Sequence, residues 1–327
     1  MKTKEINWGI LGTARICDAI IPCIKSLKYN LYGVATRKKS KNIKFFKKHK
    51  IKKIYENYDS LLKDKKINFI YIPLPNSMHF DWCKKVLKQK KNVLCEKPIC
   101  LDKNSLDKLD KLSRKYNCTI SEAMMYRHHK LILKLQSVIK RKVIGDVTKV
   151  ESNFYRFTRF DKKNIRFNKK LGGGSLFDLG YYSISLINLI FNKKPKKVFG
   201  KIVKKKKVDL KFFGEIHYGN NKVGSFSSSF LDENNDITII TGKKGKIIIP
   251  STFLKGKKKI IIYKKNVRKI LYIKDKTHRY LREVKNIVDA SLRNHNLVVS
   301  LGESKKNVYC MEKLMKSAEV NKFLKLR

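Results

Sequence analysis

Asp178 and Tyr182 stand four residues apart in LGGGSLFDLGYYSISLINLIF, an otherwise apolar stretch opened by Gly172, Gly173 and Gly174. At α-helical spacing the two side chains share a face. An acid and a phenol on an apolar face need partners if they are buried. A candidate partner is Lys97, which follows the apolar run Val93-Leu94-Cys95 and Glu96 and is held by Pro98. A carboxylate, a phenol and an ammonium are group types that move protons. The bland reading is that Glu96 and Lys97 form a solvated pair in a loop. Tyr181 is the rival phenol, but one helical step rotates a side chain by about 100°, so the i, i+4 spacing selects Tyr182.

A second constellation lies at the first apolar run. INWGILGTARICDAI passes from a strand-like segment into a helix through Gly12, Thr13, Ala14, Arg15, Ile16 and Cys17. A dinucleotide site needs a glycine at the tight turn, a small residue where the pyrophosphate meets the backbone, and a small residue where helix packs on strand. Gly12, Ala14 and Cys17 take those places, Ala14 standing where a second glycine is usual. Free amides at the start of the helix would hold the phosphates. About 20 residues on, an NAD site usually carries an acid for the ribose hydroxyls; this chain has Thr36, Arg37 and Lys38. Cations there welcome a 2′-phosphate, so NADP is the expected cofactor and NAD the alternative. The plain reading of Lys38 is that it shares the lysine excess of the whole chain.

These groups need a scaffold. Apolar runs at 6–11, 31–36, 69–72, 93–95 and 119–121 alternate with helical periodicity at 16–27, 40–49, 77–88 and 104–116. Strand and helix in alternation mean a doubly wound parallel sheet, with ligands at the carboxyl ends of the strands. YIPLPN and CEKP then both end strands on the cofactor side, and Pro98 would fix its loop, a cis bond being one way. After about residue 125 the pattern changes. A helix at 130–140, a strand at 147–157 and a helix at 175–191 precede strand runs at 197–203, 212–218, 223–230, 237–241, 246–249, 260–263 and 270–273. Two helices follow from 279 onward. Turn signals such as YGNNK and TGKKGK favour a large, mostly antiparallel open sheet. The expected class is α/β, with a Rossmann domain at 1–122 and an α+β domain at 123–327.

The 327 residues, 42% hydrophobic, suffice for two cores. The formal charge of +52 points, taken alone, to nucleic acid or an anionic surface. The lysines are spread from end to end, however, and no aromatic-basic recognition motif accompanies them. Runs at 204–207 and 257–259 read as hairpin tips or solvated edges. The seven cysteines include no C-x-x-C pair, so neither a zinc site nor a disulfide framework is expected. Thiols without a framework, no signal-peptide pattern at the start and no membrane-length apolar run suggest a cytoplasmic protein.

WGILGTARIC, VLCEKPI, SEAMMYRHH, GGGSLFDLGYY and TGKKGKIIIP occur in the order and at the separations of the Gfo/Idh/MocA oxidoreductases. The chain resembles that family over nearly its whole length, most of all the branch of dimeric dihydrodiol dehydrogenases and NADP-dependent aldose (xylose-type) dehydrogenases. The resemblance implies a nicotinamide cofactor and a catalytic pair carried by Lys97 and Tyr182, with Asp178 beside them. It implies cofactor contacts at Gly9, Gly12, Thr13, Ala14, Arg15, Ile16, Thr36, Arg37, Lys38, Pro73, Leu74, Asn76, His79, Glu96, Lys97, Pro98 and Arg166. Substrate contacts fall at Arg127, His129, Asn164 and Asp178. Lys130 departs from the family's usual proline, which bears on the loop after Arg127 and His129.

A free phenol titrates near ~10, and a neighbouring ammonium favours its phenolate. Under this reading Tyr182 would take a proton from a hydroxyl or give one to a carbonyl, and Lys97 would polarise the carbonyl oxygen. The expected activity is NAD(P)-dependent hydride transfer on a sugar, cyclic polyol or dihydrodiol. The alternatives are a nucleotide-linked sugar as substrate, or a non-catalytic NADP-responsive or polyanion-binding protein. Expected partners are a small polyhydroxy substrate and further copies of the chain, as a dimer or tetramer through the C-terminal sheet. No metal, no specific nucleic acid and no membrane are expected.

Overall fold

A computed structural model describes residues 5–205 and 207–326. The chain divides into two compact units, one holding residues up to 100 with 104–128 and 277–301, the other 101–103, 129–276 and 302 onward.

The first unit is built on six strands: β1 (Asn7–Leu11), β2 (Asn30–Ala35), β3 (Ile54–Tyr55), β4 (Phe69–Ile72), β5 (Asn92–Glu96) and β6 (Ile120–Ala123). Their order is β3-β2-β1-β4-β5-β6, and each pair is parallel. Strands in such a sheet are buried on both faces and read as unbroken apolar runs; β1 and β4 are buried at every position. The connecting helices are α1 (Cys17–Ser26), α2 (Ile43–His49), α3 (Tyr58–Lys63), α4 (His79–Lys88) and α5 (Lys103–Tyr116). The strand order reverses between β1 and β4, the switch point where a doubly wound sheet opens a crevice.

Two differences from the sequence reading matter here. The segment 51–68 contains β3 and α3, which the sequence reading left unassigned; Asn57 caps α3 by accepting from the Ser60 amide. Residues 277–301, which the sequence reading counted in 123–327, pack with the first unit, because Val284, Ile287 and Val288 of the helix Arg279–Arg293 join the core of Ile20, Cys23 and Ile24.

The second unit carries α6 (Lys130–Lys140), β7 (Val147–Tyr155) and, after a π-helical turn at Leu176–Gly180, α7 (Tyr181–Phe191). Strands β8 (Lys197–Lys205), β9 (Val208–His217), β10 (Val223–Ser229), β11 (Asn235–Gly242), β12 (Gly245–Pro250), β13 (Lys258–Lys264) and β14 (Val267–Ile273) follow. The Arg279–Arg293 helix, α8, belongs to the first unit, and α9 (Leu301–Val320) and β15 (Leu324–Lys325) end the chain in the second. The nine-stranded order is β14-β13-β12-β11-β7-β10-β9-β8-β15. Only β7 and β10 run parallel among these pairs. Helix α7 is buried nearly all round and lies on the sheet, with its Ser183 and Asn188 side chains hydrogen-bonded; a Cβ at Gly224 would sit 2.2 Å from Ile187 Cγ2, so only glycine lets the helix approach there.

The lysine runs divide. Lys206 lies outside the described residues, and Lys207 forms the β8–β9 turn with φ of +73°. Lys258 is not a solvated edge residue: it is buried, and its ammonium donates to the carbonyls of Ser251 and Leu254. No helix among the described residues is long and apolar enough to cross a membrane.

Candidate functional site

In the first unit, β1 ends at Leu11 and Gly12 turns the chain at φ of +100°, a conformation that side-chain-bearing residues rarely adopt. Its amide donates to the Ala35 carbonyl over 2.8 Å, and a Cβ there would meet Leu74 at 3.2 Å. A cleft of about 320 Å³ opens above this turn, lined by Gly12, Thr13 and Ala14, by Thr36, Arg37 and Lys38, and by Pro73 and Leu74. Eight of the expected cofactor contacts therefore meet at one place. Cys17 is fully buried beneath, where the helix packs, and burial pushes its thiol pKa far up.

Three further residues, Asn42, Tyr58 and Pro75, line the cleft and escaped the sequence reading. Asn42 ties it together. Its Oδ1 accepts from the Thr13 hydroxyl over 2.7 Å, and its Nδ2 donates to Thr36 Oγ1 over 3.1 Å and to the Lys38 carbonyl over 2.7 Å. The readable signal is an amide at the start of a helix, following the strand that ends just before Thr36.

Several expected contacts sit elsewhere. Gly9 packs the sheet: a Cβ there would lie 2.7 Å from Leu61 Cδ2, so its smallness makes room for α3. Arg15 is exposed, and neither it nor Ile16 or Asn76 lines the cleft. His79 is fully buried below the cleft, with Nδ1 2.8 Å from the Pro98 carbonyl oxygen and Nε2 2.8 Å from that of Leu74. Burial lowers the imidazole pKa, and the two carbonyls oppose that shift. The ring joins the loop after β4 to the loop after β5.

That second loop carries Lys97. The Lys97-Pro98 peptide is cis, and the Ile99 amide donates to Glu122 Oε1 over 2.9 Å. Glu96 accepts from the Tyr71 hydroxyl over 2.6 Å, which turns the carboxylate toward the sheet. Burial, then the Glu96 charge, holds the Tyr71 phenol well above its ordinary pKa. Lys97 thus sits on a loop fixed at both flanks, half-buried.

In the second unit the glycine turn has a specific cause. Gly172 and Gly174 have φ of +74° and +126°, and a Cβ at Gly173 would lie 2.5 Å from the Arg166 carbonyl oxygen. The turn leads into the π-helical Leu176–Gly180, so the expected continuous α-helix over 175–191 does not form. π-turns of this kind are frequent at functional sites. They also weaken the spacing argument, because i and i+4 no longer superpose as in an α-helix. Asp178 accepts from Arg166 Nε over 2.6 Å. The Tyr182 ring packs edge-on to Phe154 at 5.8 Å and lies 5.5 Å from Phe253. Tyr182 is 8% exposed and Tyr181 0%.

Arg166 is therefore placed beside Asp178, in the unit that does not hold the cleft above Gly12. The remaining expected substrate contacts make the following hydrogen bonds. Asn164 Oδ1 accepts from the Arg166 amide, and His129 Nδ1 accepts from the Leu131 amide as the cap of α6, each near 3.0–3.1 Å. Arg127 is buried in the first unit and donates to the Val298 carbonyl over 3.1 Å.

Asp209 on β9 was not foreseen. Its Oδ2 accepts from the Ser175 hydroxyl over 2.8 Å and from the Leu176 amide over 2.7 Å. Burial pushes its carboxyl up to about 6 from 3.8, against those hydrogen bonds. A carboxyl raised on folding favours the folded state while protonated, so this contribution is complete below about pH 4 and is lost as pH rises through about 6. Wild-type protein is expected to lose about 2–3 kcal/mol more stability than Asp209→Asn between pH 4 and pH 7. Denaturant midpoints measured across that range check it.

Comparison with known proteins extends over both units. Residues 6–124 match the Gfo/Idh/MocA "oxidoreductase family, NAD-binding Rossmann fold", and residues 132–248 match the "GFO/IDH/MocA C-terminal domain". The trans-1,2-dihydrobenzene-1,2-diol dehydrogenase of Xenopus laevis is 30% identical over 256 residues, 77% of this chain and 76% of that protein. The D-xylose 1-dehydrogenase (NADP(+)) 2 of Haloferax volcanii is 30% identical over 226 residues, 68% and 69% of the two chains. Among solved structures, the aldose-aldose oxidoreductase from Caulobacter crescentus, crystallised with glycerol, is similar with a TM-score of 0.89 at 18% identity, covering 98% of this chain and 100% of that one. A 3-ketoreductase from Actinomadura kijaniata in complex with NADP and TDP-benzene has the same TM-score and identity, covering 96% and 98%.

Proposed function

From the premise that the chain belongs to the Gfo/Idh/MocA family and is an NAD(P)-dependent oxidoreductase, we propose that it oxidises a hydroxyl of a sugar, cyclic polyol or dihydrodiol, or reduces the matching carbonyl, with NADP as preferred cofactor. The observation that carries this reading is the cleft at the strand-order reversal, where Gly12, Thr13 and Ala14 face the cationic end of β2. The fit is physical. Gly12 leaves its backbone bare for a pyrophosphate, and Arg37 with Lys38 supplies charge where a ribose 2′-phosphate would lie. Arg37 and Lys38 also border a wider hollow with Lys39, Ser40 and Lys41, so the cationic lining continues outward.

When bound, the nicotinamide supplies the hydride acceptor or donor. The chain's own groups supply the rest. Tyr182 exchanges the substrate's hydroxyl proton, Lys97 favours the phenolate and stabilises negative charge on the substrate oxygen, and Asp178, oriented by Arg166, receives a neighbouring substrate hydroxyl.

The test is a panel of aldoses, inositols and diols scored by nicotinamide absorbance with NADP+ and NAD+ in parallel. Turnover with none of them, at protein that binds NADP+, refutes the substrate class. Arg37→Ala is expected to raise the KM for NADP+ about tenfold while leaving that for NAD+ within about twofold, the loss of one charge-assisted contact to phosphate.

A further inference from the structure

We propose that Asp209 is a positioning residue for the reaction, anchoring the turn from which Asp178 and Tyr182 project; this rests on the acid–base reading of Tyr182. The carboxylate is 3% exposed and receives two donors at the start of the π-turn, the hydroxyl of the preceding Ser175 and the Leu176 amide. The contact continues into β10, where Ser175 Oγ lies 3.2 Å from Ser228 Oγ. A Cβ at Gly174 would stand 2.1 Å from Asp209 Oδ1, so glycine at that position is what lets the carboxylate close on the backbone.

The far end of the same turn is seated on β10. A Cβ at Gly180 would come within 3.0 Å of Phe226 and 3.1 Å of Ser228 Oγ. Three residues further, Ser183 Oγ lies 2.9 Å from Ser152 Oγ on β7. Asp178 and Tyr182 are thereby bracketed: Asp209 holds the segment before them and the sheet face holds the segment between and after. The π-turn interrupts the regular α-helical ladder, and the Asp209 contacts before it and the Ser183–Ser152 contact after it fix the chain on either side of these two residues. A shift of about 1 Å at a reacting group is enough to cost on the order of a hundredfold in rate.

The experiment compares Asp209→Ala and Asp209→Asn in the full chain. Alanine removes both acceptors, whereas asparagine keeps one carbonyl oxygen for the two donors. Expected is a fall in kcat of about tenfold or more for Asp209→Ala, with the Kd for NADP+ by calorimetry within about twofold of wild type, and recovery of most of that loss in Asp209→Asn. Full kcat in folded Asp209→Ala overturns the proposal, as does equal impairment of the two variants. If Asp209→Ala does not fold, Ser175→Ala removes one of the two links; an unchanged kcat in that variant overturns the proposal, and a fall at unchanged NADP+ affinity supports it. A parallel Tyr182→Phe protein separates the two levels. Full turnover there refutes the acid–base reading, whereas impaired Tyr182→Phe beside fully active Asp209→Ala refutes the positioning role alone.

Discussion

Tyr182→Phe is expected to lower kcat by about 10²–10⁴-fold, with the Kd for NADP+ unchanged and thermal stability within about 1 kcal/mol of wild type. Phenylalanine keeps the ring that packs against Phe154 and Phe253, so the aromatic cluster survives. Only the hydroxyl goes, and with it the group proposed to take or give the substrate proton. Removing general acid–base assistance costs about that range of rate. Because the proposed cofactor cleft belongs to the other unit and its lining includes no residue of α7, cofactor affinity serves as an internal control. Tyr181→Phe is the matched comparison: that ring is fully buried, and the same deletion there is expected to leave kcat within about threefold. A reversal of the two results would move the proton-transfer role to Tyr181.

How much of this was legible before the fold was known follows from periodicity and its failures. The first sheet was legible because a parallel strand buried on both faces is an unbroken apolar word, as in Phe69-Ile70-Tyr71-Ile72. β3 and α3 were not, since two residues and six residues are too short to establish a period; the Asn57 cap was the one available sign. Gly172 to Gly174 announced a turn, but the π geometry after it left no trace. The π-turn spans only Leu176–Gly180, and five residues are too few to show that one extra residue has shifted the period before α7 resumes it. Asp209 was hidden for another reason. It lies in Lys207-Val208-Asp209, which reads as a charged edge, and its partners Ser175 and Leu176 are more than thirty residues away in sequence. The amphipathic α8 has one apolar face, and a face does not state which sheet it will cover; tertiary packing sent it to the first unit.

Lys97→Ala is expected to lower kcat by about 10²–10³-fold, and the loss should not add to that of Tyr182→Phe. The first part follows from electrostatics: a fixed ammonium stabilises charge that develops on a substrate oxygen, and deleting one such group costs about that much. The loop that carries it is fixed independently of the side chain, by His79 on Pro98 and by Glu122 on the Ile99 amide, so truncation at Lys97 leaves the loop in place. The second part tests whether the two residues serve one step. If Lys97 works by favouring the phenolate of Tyr182, there is nothing left for it to favour once the hydroxyl is gone. The double variant should then be no more than about tenfold slower than the slower single variant, a coupling of roughly 2 kcal/mol in the double-mutant cycle. Losses that multiply in full would mean independent action. In that case Lys97 would be an oxygen-binding group, and Tyr182 would need a different source of acidity.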